Sequence, residues 1–200
     1  MKILVVGGTG TIGSAVVNEL QERHVVIVAG HSQGDVMVDM SSLESIHAMY
    51  KQVGEIDAVV SAAGRVTFYD FSEMDEEKYR VGIDNKLMGQ VNLVLAGQAY
   101  INDAGSFTLT SGILNHDPIR YGSSAAMVNG AIDGFVASVA LELPRGLRIN
   151  VVSPTVIKES MEGFAPYFRG YKPVLAEEAA LAYSKSVEGL QTGQVFKAGY

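Results

Sequence analysis

The chain has 200 residues, 48% hydrophobic and 18% charged, with 22 glycines, no cysteine and a net charge of −7. That length suits a single domain over residues 1–200, and the missing cysteines exclude disulfides, thiolate nucleophiles, zinc knuckles and iron–sulfur clusters. The acidic balance argues against a nucleic-acid binder, four scattered histidines lack metal-ligand spacing, and no apolar stretch approaches the ~20 residues of a membrane span. Lys2–Val6 meets glycine too soon for a secretory segment, so the expected location is the cytoplasm.

In chain order, short β-branched runs alternate with helical stretches, the signature of an α/β fold with a parallel sheet. Ile3–Val6 predicts the first strand, and Ile12, Val16, Val17 and Leu20 recur at helical spacing after it. His24–Ala29 and Met37-Val38 predict two more strands. Leu43, Ile46, Met49, Tyr50 and Val53 predict an amphipathic helix, and Ala58–Val60 the fourth strand. Ile83–Ile101 is helical, with Leu87, Val91, Val94 and Leu95 as its apolar positions, and Phe107–Thr110 is the fifth strand. Ala125–Leu143 predicts the longest helix, with Val128, Ile132, Phe135 and Val139 on one face. Leu147–Val152 and Gln194–Phe196 are strands, with Leu175–Val187 helical between them. Continuous apolar strands fit a sheet covered on both faces. Ser160–Pro173, rich in aromatics and glycine, lacks periodicity and reads as a surface loop or as a lid over a pocket.

Gly7-Gly8-Thr9-Gly10-Thr11-Ile12-Gly13 joins the first strand to the first helix. Such a turn needs residues without Cβ, and a pyrophosphate needs backbone N–H groups at a helix N-terminus. Thr9 and Thr11 add hydroxyl donors, and Gly13 lets the helix press on the strand. A glycine pattern in this strand–turn–helix context is a dinucleotide-binding signal.

With these residues in view, the sequence resembles the short-chain dehydrogenase/reductase family over nearly its whole length. Gly7, Gly10 and Gly13 match the glycine turn, and Asp39-Met40 the strand-end segment that binds adenine. Ser61-Ala62-Ala63-Gly64 matches the segment after strand four, Asn85 the helical Asn, and Ser111 the active-site Ser. Pro154-Thr155-Val156-Ile157 resembles the turn that cradles the nicotinamide. The resemblance implies one doubly wound Rossmann-type domain with a seven-stranded, mostly parallel sheet in the order 3-2-1-4-5-6-7. It further implies a homo-oligomer, dimer or tetramer, packed through the long helices with Ala125, Ala126, Gly130, Ala131, Gly134 and Ala137 permitting close approach.

The family's chemistry rests on a Tyr followed four residues later by a Lys on one helix, and here those positions are Ala125 and Asn129. No lysine occurs between Lys86 and Lys158, and no tyrosine has a lysine four residues on. Tyr121 is a candidate displaced phenol, and His116, beside Asp117, a candidate proton shuttle. Ser111 and Asn85 are then left without their usual partners. The expectation is that Ala125 leaves a void where a phenol would sit, Asn129 hydrogen-bonds a ribose hydroxyl, and Asn85 keeps a helix-kinking, backbone-bonding role.

No acid stands at the end of strand two to accept both ribose hydroxyls. Gly30-His31-Ser32 occupies that place and suits a 2′-phosphate, so NADP is expected over NAD. The expected function is an oxidoreductase for a small carbonyl or alcohol with a non-standard proton donor. The alternatives are a non-catalytic NADP-binding sensor, and a fold kept only for assembly.

Overall fold

Every residue from 1 to 200 is described by the computed structural model. The elements run β1 (Lys2–Val6), α1 (Thr11–Gln21), β2 (Val25–Gly30), β3 (Val36–Met37), α2 (Leu43–Val53), β4 (Ile56–Ser61), α3 (Glu76–Gly82) and α4 (Met88–Gly97). They continue through β5 (Ile101–Thr110), α5 (Ser123–Val139), β6 (Arg148–Pro154), α6 (Met161–Phe164), α7 (Ala176–Glu188) and β7 (Val195–Ala198). All seven strands pair in parallel, in the order β3-β2-β1-β4-β5-β6-β7.

The period-2 geometry of a strand explains why β1 is apolar throughout. Leu4 and Val6 enter a core shared with α2, α4 and α5, whereas Ile3 and Val5 enter a second core against α1 and α7. Each such side chain removed from water contributes roughly 1.5–3 kcal/mol. A smaller third cluster, Ile113, Leu114, Ala125, Val156 and Phe168, lies beyond the carboxyl ends of β5 and β6.

Two elements depart from the sequence pattern. The helix expected from Ile83 begins at Glu76, and residues Ile83–Leu87 form a π-helical turn joining α3 to α4. A π turn inserts an extra residue and shifts the helical phase. Leu95, expected inside, is therefore 57% exposed, while Gly89, Gln90 and Leu93 face inward. Strand β5 starts at Ile101 rather than Phe107, because its first residues follow an irregularity in the β4 pairing.

The segment without periodicity folds back over the strand ends. Phe168 is buried, Phe164 and Tyr171 meet it edge to face, and Phe68 meets Phe164 likewise. An isolated bridge between Ile157 and Val174 closes its base.

Candidate active site

The glycine turn is built by close approach. Gly7 has φ +81°, and a Cβ there would lie 2.8 Å from Ala63 Cβ. A Cβ on Gly13 would lie 1.9 Å from the Gly7 carbonyl oxygen, so only glycine lets α1 begin this close to β1. Helix α1 carries no acidic residue in its first turn, leaving the positive end of its dipole available to an anion.

A cavity of about 410 Å³ opens in front of this turn at the carboxyl ends of β1, β2 and β4. Gly7, Thr9, Gly10, His31, Asp39, Met40, Ala62, Ala63 and Gly64 line it as the sequence suggests, joined by Arg65 and Asn85. Asp39 accepts a hydrogen bond from the Ser41 N–H at 2.9 Å, which holds its carboxyl below the usual aspartate range. Ser32 is exposed beside His31 and does not line the cavity. Thr11 instead borders a separate polar groove between α1 and α7, Ile12 packs on the α1–α7 core, and Gly13 is buried beneath the turn. Thr155, Val156 and Ile157 are buried where Pro154 ends β6, held by the Thr155 N–H bond to Ala198 O.

Asn85 sits on the π turn and faces the cavity wall. Its Oδ1 accepts from the Arg65 N–H at 2.8 Å and its Nδ2 donates to Ser41 Oγ at 3.1 Å. It thus ties the loop after β4 to the segment after β3, and makes no bond to Ser111. The next residue makes the contact instead. Lys86 Nζ donates to Ser111 O at 2.9 Å and to Asn129 Oδ1 at 2.8 Å. Asn129 Nδ2 donates to Gly112 O at 3.1 Å, where φ is +151° and a Cβ would crowd that amide. Gly64 admits the lysine stem, since a Cβ there would lie 2.5 Å from Lys86 Cγ. Enclosure by protein pushes the Lys86 ammonium down to about 8, opposed by the attraction of Asp133. Ser111 Oγ is buried beside this cluster without a hydrogen-bond partner.

The other sequence candidates lie elsewhere. Tyr121, with φ +67°, packs edge to face on Tyr167 under the Arg120 guanidinium. It borders a different cavity with Tyr69, Phe71 and Pro118, apart from Ser111 and Asn129. His116 Nε2 lies 3.3 Å from Asp133 Oδ2, an oxygen that also accepts from Asn115 Nδ2. Ala125 does not leave a void: it is 3% exposed inside the third apolar cluster.

Lys86 is the residue that the sequence reading passed over. Gly82, Lys86, Gly89 and Leu93 fall at helical spacing on one stripe, and that signal places the lysine inward among buried neighbours. Arg65 carries no comparable pattern.

The family model described as enoyl-(acyl carrier protein) reductase matches residues 7–192. The chain belongs to the short-chain dehydrogenase/reductase family. Its members are oxidoreductases that bind a nicotinamide dinucleotide. An uncharacterized oxidoreductase of Methylorubrum extorquens is 28% identical over 61% of this chain, which spans only 50% of that protein's length. The L-xylulose reductase of Mesocricetus auratus is 28% identical, over 80% of this chain and 73% of its own. Among solved structures, the protein lin1944 from Listeria innocua superposes with a TM-score of 0.97 at 52% identity, over 98% of both chains. A small-chain dehydrogenase in complex with NADPH gives 0.88 at 26% identity, over 99% of this chain and 96% of its own. No helix of the structure is long and apolar enough to cross a membrane.

Proposed function

We propose that this protein is an NADPH-dependent oxidoreductase acting on a small carbonyl or alcohol. The supporting observation is the cavity in front of the glycine turn, where Arg65 brings a guanidinium and His31 an imidazole, and the end of β2 offers no carboxylate. A guanidinium with an imidazole donor beside it suits a 2′-phosphate, whereas a carboxylate there would suit a free ribose diol. The glycine cradle suits a pyrophosphate, and a Cβ at Gly7 or Gly13 would collide with the backbone and side chains that shape it. Asp39 and Met40 line the adenine end, and Asn129 and the Pro154–Ile157 turn stand toward the nicotinamide end. Bound there, the reduced dinucleotide supplies a hydride to the substrate carbonyl. The chain's own tasks are to orient that carbon, exclude water beneath the Phe164–Tyr171 cover and provide a proton.

A homo-oligomer accompanies this reading: Gly130, Ala131, Gly134 and Ala137 are exposed together on α5, although Ala125 of the expected stripe points inward. A monodisperse monomer at micromolar concentration would remove the oligomer and leave the function standing. The deciding experiment titrates the purified protein with NADPH and NADH by fluorescence, then offers a carbonyl panel. Tight NADPH binding with oxidation in the presence of a carbonyl is the expected result. Binding without turnover would make the protein a sensor, and no binding would end the reading.

A further inference from the structure

We propose that Lys86 is the proton donor of this site, delivering from the π turn before α4 the proton that a phenol on α5 would otherwise supply. The inference rests on the oxidoreductase reading above. An ammonium carries three N–H donors. Two are committed, to Ser111 O and Asn129 Oδ1, and the third has no protein acceptor while the side chain keeps part of its surface open. It lies where β4 and β5 end, the side of an open α/β sheet on which ligands bind. The hydroxyl of Ser111, buried and without a partner, stands next to the carbonyl that Lys86 holds. Neither Tyr121 nor His116 touches this cluster, so Lys86 is the titratable group in contact with Ser111 and Asn129.

The surroundings suit proton transfer near neutrality. From α5, Asp133 attracts the ammonium, and His116 and Asn115 stand behind that carboxylate. On the π turn itself Asp84 faces Arg80 of α3, which also pairs with Glu76. The loop after β4 brings Arg65 to the neighbouring cavity, α4 contributes no charged residue, and β5 ends in Thr110. Desolvation outweighs the one attractive carboxylate, which is how a lysine is brought into the range useful for general acid work.

In the step itself the hydride forms the new C–H bond at the carbonyl carbon and the C=O π pair moves to oxygen. The Lys86 N–H bond breaks, its proton forms the O–H bond, and the neutral amine recovers a proton from water. The reductant is the reduced nicotinamide, which leaves oxidised.

The test follows the amine and the reaction separately. Wild type, Lys86→Arg, Lys86→Met, Tyr121→Phe and His116→Ala are titrated with NADPH by fluorescence. Each is then assayed on aldehydes, ketones and 1,2-dicarbonyls from about pH 6 to about pH 10, and the lysines are followed by NMR of ε-¹³C-lysine protein. The expected result is a lysine signal titrating near pH 8 that disappears from both Lys86 variants. Wild-type reduction should decline above that pH. Lys86→Arg should still bind NADPH yet lose ~10²–10⁴-fold in turnover, while Tyr121→Phe and His116→Ala keep both rate and profile. Retained turnover in Lys86→Arg or an ordinary lysine titration for Lys86 would overturn the acid role and leave the oxidoreductase reading standing, whereas NADPH-loaded wild type that reduces no carbonyl would overturn both. Failure to bind NADPH at all would instead overturn the reading beneath it.

Discussion

Lys86 and Asn129 meet between two helices, the ammonium of one lying 2.8 Å from the amide oxygen of the other. Asn129 passes the contact on to Gly112 O, so the pair fastens the π turn and α5 to the exit of β5. The family resemblance puts its Tyr and Lys at Ala125 and Asn129, and Lys86 reaches the second of these positions from the π turn. This arrangement bears on the expected behaviour of an Ala125→Tyr, Asn129→Lys double variant. It would set a second ammonium against Lys86 and press a ring into packed side chains.

The pair should therefore behave as a reciprocal unit. Asn129→Lys alone places two like charges together in a poorly solvated site, and the cost is about 3 kcal/mol. Combining it with Lys86→Asn should recover most of that loss. Urea denaturation of the four proteins in a double-mutant cycle measures the coupling, and simply additive effects would contradict it.

A half-buried lysine also signs the stability curve. Its ordinary value of 10.5 in the unfolded chain falls to about 8 on folding. Between the two the unfolded state binds more protons, so the contribution of Lys86 to stability rises with pH across that window and is flat below it. The stability difference, wild type minus Lys86→Met, should increase between about pH 7 and about pH 10. Parallel curves for the two proteins would show that the ammonium is fully solvated.

At Ala125 the obstacle is steric. Tyrosine there must displace members of the Ile113, Leu114, Val156 and Phe168 cluster, and overpacking of this kind costs ~1–3 kcal/mol. Ala125→Tyr should lower the thermal midpoint and raise no reductase activity above the wild-type level. A variant as stable as wild type, with new activity, would mean that the cover over the strand ends moves freely.

The glycine turn admits no methyl group at its tightest point. Gly13→Ala places Cβ 1.9 Å from a backbone oxygen that cannot retreat without moving β1. A stability loss of roughly 2 kcal/mol is expected together with loss of NADPH binding. Unchanged affinity would argue that dinucleotide binds elsewhere.

Cofactor preference should rest on His31 and Arg65. Removing either by alanine substitution should weaken NADPH about tenfold, the worth of one charge-assisted hydrogen bond, and leave NADH nearly unaffected. The NADPH affinity should also fall with added salt more steeply than that of NADH. Equal losses for both dinucleotides would place these side chains on the shared pyrophosphate or adenine.

How far the sequence reaches can be judged from particular residues. The strand order came from the family resemblance, while Ile3–Val6, Gly7–Gly13 and the helical spacing of Val16 and Leu20 marked the first strand, the glycine turn and the helix after it. These are local matters: strand period, helix period and the space that a Cβ would need are all written within a few neighbouring positions. The pairing of Lys86 with Asn129, by contrast, depends on the π turn that carries the lysine and on α5 lying close enough for the Asn129 amide oxygen to accept its hydrogen bond. The filling of the space at Ala125 depends on Phe168, 43 positions further along, arriving from the cover segment. Tyr121 was set apart from Ser111 by a backbone turn and a stacking partner, Tyr167, that no spacing rule encodes. Composition and period decided the scaffold because each is satisfied residue by residue, whereas the site was decided only when distant segments competed for the same few cubic ångströms at the ends of the strands.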